Sequence, residues 1–297
     1  MNNKWRLTFS EKIFYILSYI IMVFLSLITL IPLLNVLAQS LSEPNEVLSG
    51  RVFIWPLKPT FSTLLNVLKS PRIMTGFSNT LVYAVSGTLL NLIMTIMCAY
   101  PLSRKELWGR GFITFVFTFT MLFGGGMIPS YLLIKSLGLL DTRWVMILPN
   151  AMAVWNMILA RTFFQTTIPA ELHESAILDG ASDIKVLLSI IIPLSKPIIA
   201  VLALFYAVGH WNSYFNAMMY LSTPSLYNIQ LVLRNAISNL RSLMDADSDM
   251  VNIMKTMAIA EATKYAIIVI TMIPVLMIYP FVQKFFIKGI MIGSLKG

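Results

Sequence analysis

Few residues in this chain could do chemistry, and most of them fall in short stretches. His173 and Glu174 form the first half of a zinc-protease helix, His-Glu-x-x-His, which needs a second imidazole one turn on to close the metal site. Position 177 is isoleucine, and the other histidine of the chain is His210, in a different apolar run. Residues 245–249, Asp-Ala-Asp-Ser-Asp, supply the first three ligand positions of a calcium loop. Met250 stands where that loop needs its turn glycine and Thr256 where it needs its closing glutamate, so the run reads as a solvated acidic loop. There is neither a G-x-x-x-x-G-K-[ST] phosphate loop nor a G-x-S-x-G nucleophile elbow. The single cysteine, Cys98, leaves no intrachain disulfide and no thiolate cluster. No catalytic residue, metal or cofactor is expected on this chain, and any ATP it depends on must bind elsewhere.

What remains is chemistry of recognition and of contact. Trp211, Asn212, Tyr214 and Asn216 lie in the run His-Trp-Asn-Ser-Tyr-Phe-Asn. Aromatic faces stack on sugar rings and amides bond sugar hydroxyls, so the run can line a saccharide path. The same residue types also make interhelical hydrogen bonds and aromatic anchors at the membrane surface, and the two readings stand level. Gly124, Gly125 and Gly126, just before Pro129, can unwind a span into a gate or let two helices pack closely. The third stretch is acidic and amphipathic: Glu-Leu-His-Glu-Ser-Ala-Ile-Leu-Asp-Gly, residues 171–180.

These residues must be positioned by membrane-spanning helices. The chain has 297 residues, 57% hydrophobic and 12% charged, with mean hydropathy +0.77. Soluble domains carry about 25% charged residues. The net charge of +9 fits basic residues flanking spans better than a nucleic-acid surface. A helix needs about 20 apolar residues to cross the hydrocarbon core. Charge-free runs at 13–42, 73–103, 111–134, 144–160, 197–221 and 265–283 predict six transmembrane helices in one all-α integral membrane domain. The first run is about twice the length of a signal-peptide core and reads as a retained span. Six spans place both termini on one side. With that side cytoplasmic, the inner segments hold twelve of the 22 Lys and Arg residues, and two of the outer segments are long. The outer segment 222–263 is polar and reads as a loop, and 284–297 as a cytoplasmic tail.

The acidic stretch falls between spans four and five, in an inner segment from 167 to 196. Thr167 and Pro169 read as a helix start, with Glu171 near the positive dipole end. Ile168, Leu172 and Ala176 share a face. Gly180 stands at a C-cap, and Ser182 can cap a second helix running to Pro193 and Pro197. By itself this helix–turn–helix elbow could be a plain connector. Its spacing, Glu174-Ser175-Ala176, three residues, Gly180, nine residues, Ile190-Ile191-Ile192-Pro193, resembles the EAA loop of ABC importer permeases, with serine at the second position and isoleucine in place of the leucine. Residues 121–142, 209–221 and 288–297 resemble the polysaccharide-importing branch of the maltose-transporter type.

That resemblance implies a permease subunit of an ATP-driven importer of oligo- or polysaccharides in the bacterial cytoplasmic membrane. Its elbow would be a coupling helix contacting a separate ATPase through Leu172, Glu174, Ser175, Ala176, Asp179, Gly180, Ile190 and Pro193. Its partners would be a homologous second permease, a cytoplasmic ABC ATPase dimer carrying ATP and Mg, and an extracytoplasmic sugar-binding protein. By the same resemblance the tail would reach into the ATPase dimer and the segment 222–263 would touch the binding protein. An importer of another solute, such as an amino acid or peptide, is the nearer rival. An ATP-independent transporter is the more distant one, and would need ionisable groups inside its spans.

Overall fold

The computed structural model describes residues 8–244 and 250–294. The acidic run 245–249, the last residues of the tail (295–297), and Lys4 and Arg6 of the charge count lie outside them. All regular structure among the described residues is helical. The chain divides into two compact units, residues 1–70 with 235–272, and residues 71–234 with 273–297.

In the first unit, α1 (Phe9–Ser40) begins with a capping box, in which the Glu11 carboxylate accepts from the Thr8 backbone N–H at 2.6 Å. The box moves the helix start four residues ahead of the charge-free run. The most apolar window of α1 buries nothing within the chain. A helix apolar all round with no protein against it belongs in lipid. Its C-terminal end does pack: Ala38 joins Val47, Val52 and Ala262 in a small core. Short helices α2 (Pro44–Leu48) and α3 (Ser62–Lys69) follow. Lys58 ties the segment between them back to α2 through ion pairs with Glu46 at 2.8 Å and Glu43 at 3.3 Å.

The second unit is organised around α4 (Pro71–Ser103). α5 (Arg110–Leu122) and α6 (Met127–Ser136) come next, then α7 (Val154–Thr167). The elbow comprises α8 (Ala170–Leu178), α9 (Asp183–Val186), a π-helical turn at Leu187–Ile191, and α10 (Ile192–Leu194). It leads into α11 (Lys196–Trp211) and α12 (Tyr214–Tyr220). α13 (Ile229–Met244) and α14 (Met250–Ser294) complete the chain. α4 packs most extensively on α11 and α7. Near its N-terminal end, the Asn79 amide donates to the Ser225 and Tyr227 carbonyls at 2.7 and 3.0 Å, and the Tyr83 hydroxyl to the Leu226 carbonyl at 2.8 Å.

Among the described residues three helices are long and apolar enough to cross a membrane: Phe9–Ser40, Pro71–Ser103 and Ile253–Ile278. Two bent pairs raise the number to five if each is one crossing. The third expected span is one of those pairs. Residues 123–126 leave the helix, and α5 and α6 meet at 111°. Gly126 adopts φ +83°, a conformation that a side chain resists. Cβ atoms at Gly124 and Gly126 would meet nothing, and one at Gly125 only Pro129 at 3.8 Å. Within this chain the three glycines therefore break the helix and do not serve close packing.

The fourth span departs furthest from expectation. Residues 144–160 are not one helix: a 3-10 turn at Arg143–Met146 and an irregular stretch with Pro149 precede α7, which continues past Arg161 to Thr167. Arg161 is accommodated because its Nε donates to the Leu102 carbonyl at 2.9 Å. The expected fifth span is cut at Asn212–Ser213, and the sixth lies inside α14. The segment 222–263, read as a loop, is helical over 229–244 and from 250 onward, and the first part of the expected tail, 284–294, continues α14.

Candidate functional site

The elbow is built on three local devices. The first is the C-terminus of α8. Gly180 takes φ +79°, its N–H bonds the Ile177 carbonyl at 2.9 Å, and the Ala181 N–H bonds the Ala176 carbonyl at 2.9 Å. That pair of bonds is a Schellman motif, and it closes only with a left-handed residue between. The second is Ser182, whose hydroxyl accepts from the Lys185 N–H at 3.4 Å and starts α9. The third is the π-helical turn before Pro193. Pro193 and Pro197 lack N–H groups, so the helical ladder cannot run through them unbroken. The Ser195 N–H takes up both the Ile191 and Ile192 carbonyls, at 2.9 and 3.1 Å, and the chain turns by 82° into α11.

Packing locks the elbow to the end of α4. Ala176, Val186 and Ile191 are buried with Tyr100 and Phe164 in one core, and Ile168 and Ile190 pack against it. His173 lies between Tyr100, whose hydroxyl is 3.2 Å from Nδ1, and Asp183, whose carboxylate is 3.6 Å from Nε2. Gln165 Nε2 donates to the Ser103 carbonyl at 3.2 Å. A cleft of about 1000 Å³ opens between the α4 end and α8, with Tyr100, Arg104, Glu106, His173 and Glu174 in its wall. The Glu106 carboxylate is held below the usual range, first by its own backbone N–H and further by Arg104 and His173.

Two sequence expectations change here. Thr167 ends α7 and does not cap α8; Ile168 is extended and Pro169 takes the N-cap position with no side-chain bond. The face with Ile168 and Ala176 points into the core and is not a free ridge. The exposed apolar surface of the elbow comes instead from Leu178, 88% exposed, Ile184, 71% exposed, and Ile177. Glu174, Ser175 and Asp179 are exposed beside them, and Leu172 is exposed to a lesser degree. Pro193 is exposed at the start of α10. Isoleucine and leucine that avoid the core next to a cap glycine were a signal open to sequence reading, masked by the i, i+4 pattern of the opposite face.

A second polar feature lies higher in the same unit, where α4, the start of α7 and α11–α12 meet. His210 is 6% exposed, and its Nε2 is 2.6 Å from the Asn91 Oδ1. The Asn91 amide donates to the Asn150 carbonyl. The Tyr206 hydroxyl pairs with Thr95 Oγ1 at 2.6 Å and accepts from the Ala153 N–H at 3.2 Å. Gly87 makes room for the imidazole: a Cβ there would collide with the ring's Nε2 and Cε1 and lie 2.7 Å from Cδ2. These bonds wall a cavity of about 430 Å³, and Asn156, Asn212, Asn216 and Phe215 also line it.

The cavity divides the four residues expected to line a path. Asn212 and Asn216 line it. Trp211 is buried with its ring edge-on to Phe77, and the Tyr214 hydroxyl meets Arg234 and Met218, so neither faces the cavity. Asn91, Asn150 and Asn156 join Asn212 and Asn216 from distant parts of the chain. Each sits singly in an apolar run, so no local pattern marks them. Among the described residues no group of His, Cys, Asp and Glu side chains could hold a metal ion.

Farther along, Asp141 pins two loops together. Its carboxylate accepts from the Ser222 and Thr223 N–H groups, each at 2.8 Å, and from the Thr223 hydroxyl at 2.5 Å. Those donors, the Thr223 hydroxyl foremost, hold its pKa below the usual aspartate value.

No protein-family model matches the chain. Individual relatives do. It is 41% identical to the protein LplC of Bacillus subtilis over 91% of its own length and 90% of that protein's. It is 37% identical to YtcP, a polygalacturonan/rhamnogalacturonan transport system permease protein of the same organism, over 97% of its length and 99% of that protein's. Among solved structures, a bacterial ABC transporter involved in import of the acidic polysaccharide alginate matches with TM-score 0.84 and 34% identity, covering 94% of this chain and 99% of that one. With an all-helical fold, spans of membrane length and relatives matched almost end to end, the chain belongs to the carbohydrate-type permeases of ABC importers.

Proposed function

We propose that this chain is one half of the transmembrane path of an importer for uronate-bearing oligosaccharides, driven by a separate ATPase docked on the elbow. The observation that carries the coupling is the elbow's shape. Its glycine turn is fixed by two backbone bonds, Ala176, Val186 and Ile191 are sealed against α4 and α7, and Ile177, Leu178 and Ile184 stay exposed along the cleft beside the end of α4. Exposed leucine and isoleucine on the two short helices of the elbow, rimmed by carboxylates, form a docking surface for a protein cleft. The residues that would transmit closure of that cleft are Leu172, Glu174, Ser175, Ala176, Asp179, Gly180, Ile190 and Pro193, with Ile177, Leu178 and Ile184 added to them. The substrate class rests on two relatives named for acidic polysaccharides, at 37% and 34% identity.

In this reading the chain crosses the cytoplasmic membrane six times, with both termini and the elbow on the cytoplasmic side. Three long helices supply three crossings, the bent pair α5–α6 a fourth, and α11, past the 82° bend that ends the elbow, a fifth. α7, with 14 residues, supplies the sixth; it spans about 21 Å and leaves the remainder to the irregular stretch before it. The break at Gly124–Gly126 serves as a gate, and the partners are a second permease, an ATPase dimer and an extracytoplasmic binding protein. Alternating access then follows from ATP-driven closure moving the elbow, and through it α4 and α11. Purification of a tagged chain from its native membrane in mild detergent tests this. A second permease and a P-loop ATPase should co-purify in stoichiometric amounts, and the Leu178→Asp variant should keep the permease and lose the ATPase. Recovery of the chain alone, under conditions that hold other ABC assemblies together, would refute the reading.

A further inference from the structure

We infer that the cavity between α4, α7 and α11 is a saccharide site on this chain, in which the Asn156 amide reads the hydroxyls of one sugar ring. The inference rests on the permease reading above and goes beyond it in placing sugar contact at a defined group. Several polar groups of the wall are already occupied, and the amides of Asn150 and Asn216, which make no hydrogen bond within the described residues, are less buried than that of Asn156. Asn91 spends its amide on the Asn150 carbonyl and faces His210 with its oxygen, and the Tyr206 hydroxyl holds Thr95 and the Ala153 N–H. Asn156 combines a free amide with burial. It is 7% exposed and lines the cavity, and its side-chain amide makes no hydrogen bond within the described residues. The residue is buried in the protein but its amide stays accessible from the cavity, where a ligand or a solvent molecule can supply its partners.

The lining also selects the chemistry. An amide offers a donor pair and an acceptor, which matches vicinal hydroxyls that each donate and accept. Lysine and arginine are absent from the lining, so the carboxylate of a uronate finds no counter-charge here. The site therefore binds the hydroxyl edge of a ring and leaves acid groups to be met elsewhere along the path. Phe215, half-exposed at the opening, offers a flat apolar face for the ring. The volume of about 430 Å³ lies within the range of small-ligand pockets, roughly 300–1,000 Å³, and suits one ring of a chain passing through. Gly209 lines the same space, and a Cβ placed on it would touch nothing. A side chain there can plug the cavity without disturbing the wall.

The test uses the complete transporter in proteoliposomes with its binding protein and an oligogalacturonide as probe. Uptake and ATP hydrolysis are measured for Asn156→Ala and Gly209→Leu, with assembly checked by size exclusion. Both variants should assemble, keep ATP hydrolysis stimulated by the loaded binding protein within about twofold of wild type, and lose uptake at least tenfold, the order of one lost hydrogen bond in a dry site. If Asn156→Ala fails to assemble, Gly209→Leu alone decides. Uptake by Gly209→Leu within twofold of wild type overturns the inference. So does a parallel fall of uptake and hydrolysis, which marks a coupling defect and not a lost contact. A wild-type assembly that carries neither the oligogalacturonide nor a neutral oligosaccharide overturns the permease reading and this inference with it.

Discussion

The contact of Gly87 with His210 gives the sharpest quantitative handle on the packing of α4 against α11. Gly87→Ala adds one methyl group whose carbon would overlap the imidazole at three atoms. The ring cannot swing into solvent, because His210 is 6% exposed and its Nε2 is bonded to Asn91 at 2.6 Å. Overpacking of a filled site costs about 1–3 kcal/mol. Displacement of the ring also leaves the Asn91 oxygen and the Nε2–H without partners, which costs about 1–3 kcal/mol more. The total is about 2–6 kcal/mol, large against a typical net stability.

A double-mutant cycle isolates the cause. His210→Ala removes the ring and is itself destabilising, since it opens a cavity and orphans the Asn91 oxygen. In that background Gly87→Ala should cost almost nothing, because its methyl group enters emptied space. The coupling between the two sites is then about 2 kcal/mol or more, against the few tenths expected of independent sites. The assay is thermal challenge of the assembled transporter, with loss of the tagged chain followed by fluorescence-detected size exclusion. Gly87→Ala should lower the midpoint by several degrees, and the double variant should lie close to His210→Ala. Additive losses would refute the claim that the ring is what α4 makes room for.

Three further outcomes follow from single contacts. Asp141→Asn keeps a residue suited to the left-handed backbone at φ +55° but removes the charge that three donors face. Because folding lowers this pKa, the stabilisation is complete above the unfolded value near pH 4 and fades as pH falls through the folded value below it; thermal midpoints of wild type and Asp141→Asn should differ at pH 7 and converge below pH 4. Ser195→Ala removes a buried hydroxyl that lacks a partner at the bend before α11, so the thermal midpoint should hold steady or rise, by the equivalent of up to about 1 kcal/mol, and a clear fall would show that the hydroxyl is bonded. Gly180→Ala strains the cap of α8 at φ +79° by about 1 kcal/mol and should reduce ATP hydrolysis coupled to uptake while the chain still inserts, as read by membrane fractionation and a reconstituted ATPase assay.

The elements legible in the sequence are those whose cause is local. Gly180 and Ser182 announce the elbow because a left-handed turn and a helix cap each need a particular residue, and Gly124–Gly126 announce the break in the third run for the same reason. α7 does not follow its charge-free run. Arg161 ends the run in the sequence, whereas in the fold its guanidinium reaches the Leu102 carbonyl at the end of α4 and the helix continues. Thr167 looked like a cap, but the extended Ile168 and Pro169 separate it from α8. The cavity was half legible: Asn212 and Asn216 stand in a visible polar run, but Asn91, Asn150 and Asn156 come together only through the pairing of α4 with α7 and α11. Nothing within a few residues of any of them reports that convergence.

α4 touches both the elbow and the cavity, and this bears on how the two could be coupled. Tyr100 meets His173 of α8, and Asn91, nine positions earlier on the same helix, meets His210 at the cavity wall. Nine helical residues span about 13.5 Å. Between them Thr95 holds Tyr206 of α11 at 2.6 Å, so the two helices are bonded at intervals along this stretch. A displacement of α8 therefore reaches the cavity through a continuous helix and does not need a chain of loose side-chain adjustments. α11 receives the same displacement through the 82° bend at Ser195, which follows the π-helical turn before Pro193. If α4 moves as a rod while the chain yields at that bend, the wall residues Asn91 and His210 are carried unequally, and the cavity changes shape when the elbow moves. A ligand held in one of those shapes and released from the other is what coupling of transport to a remote ATPase requires.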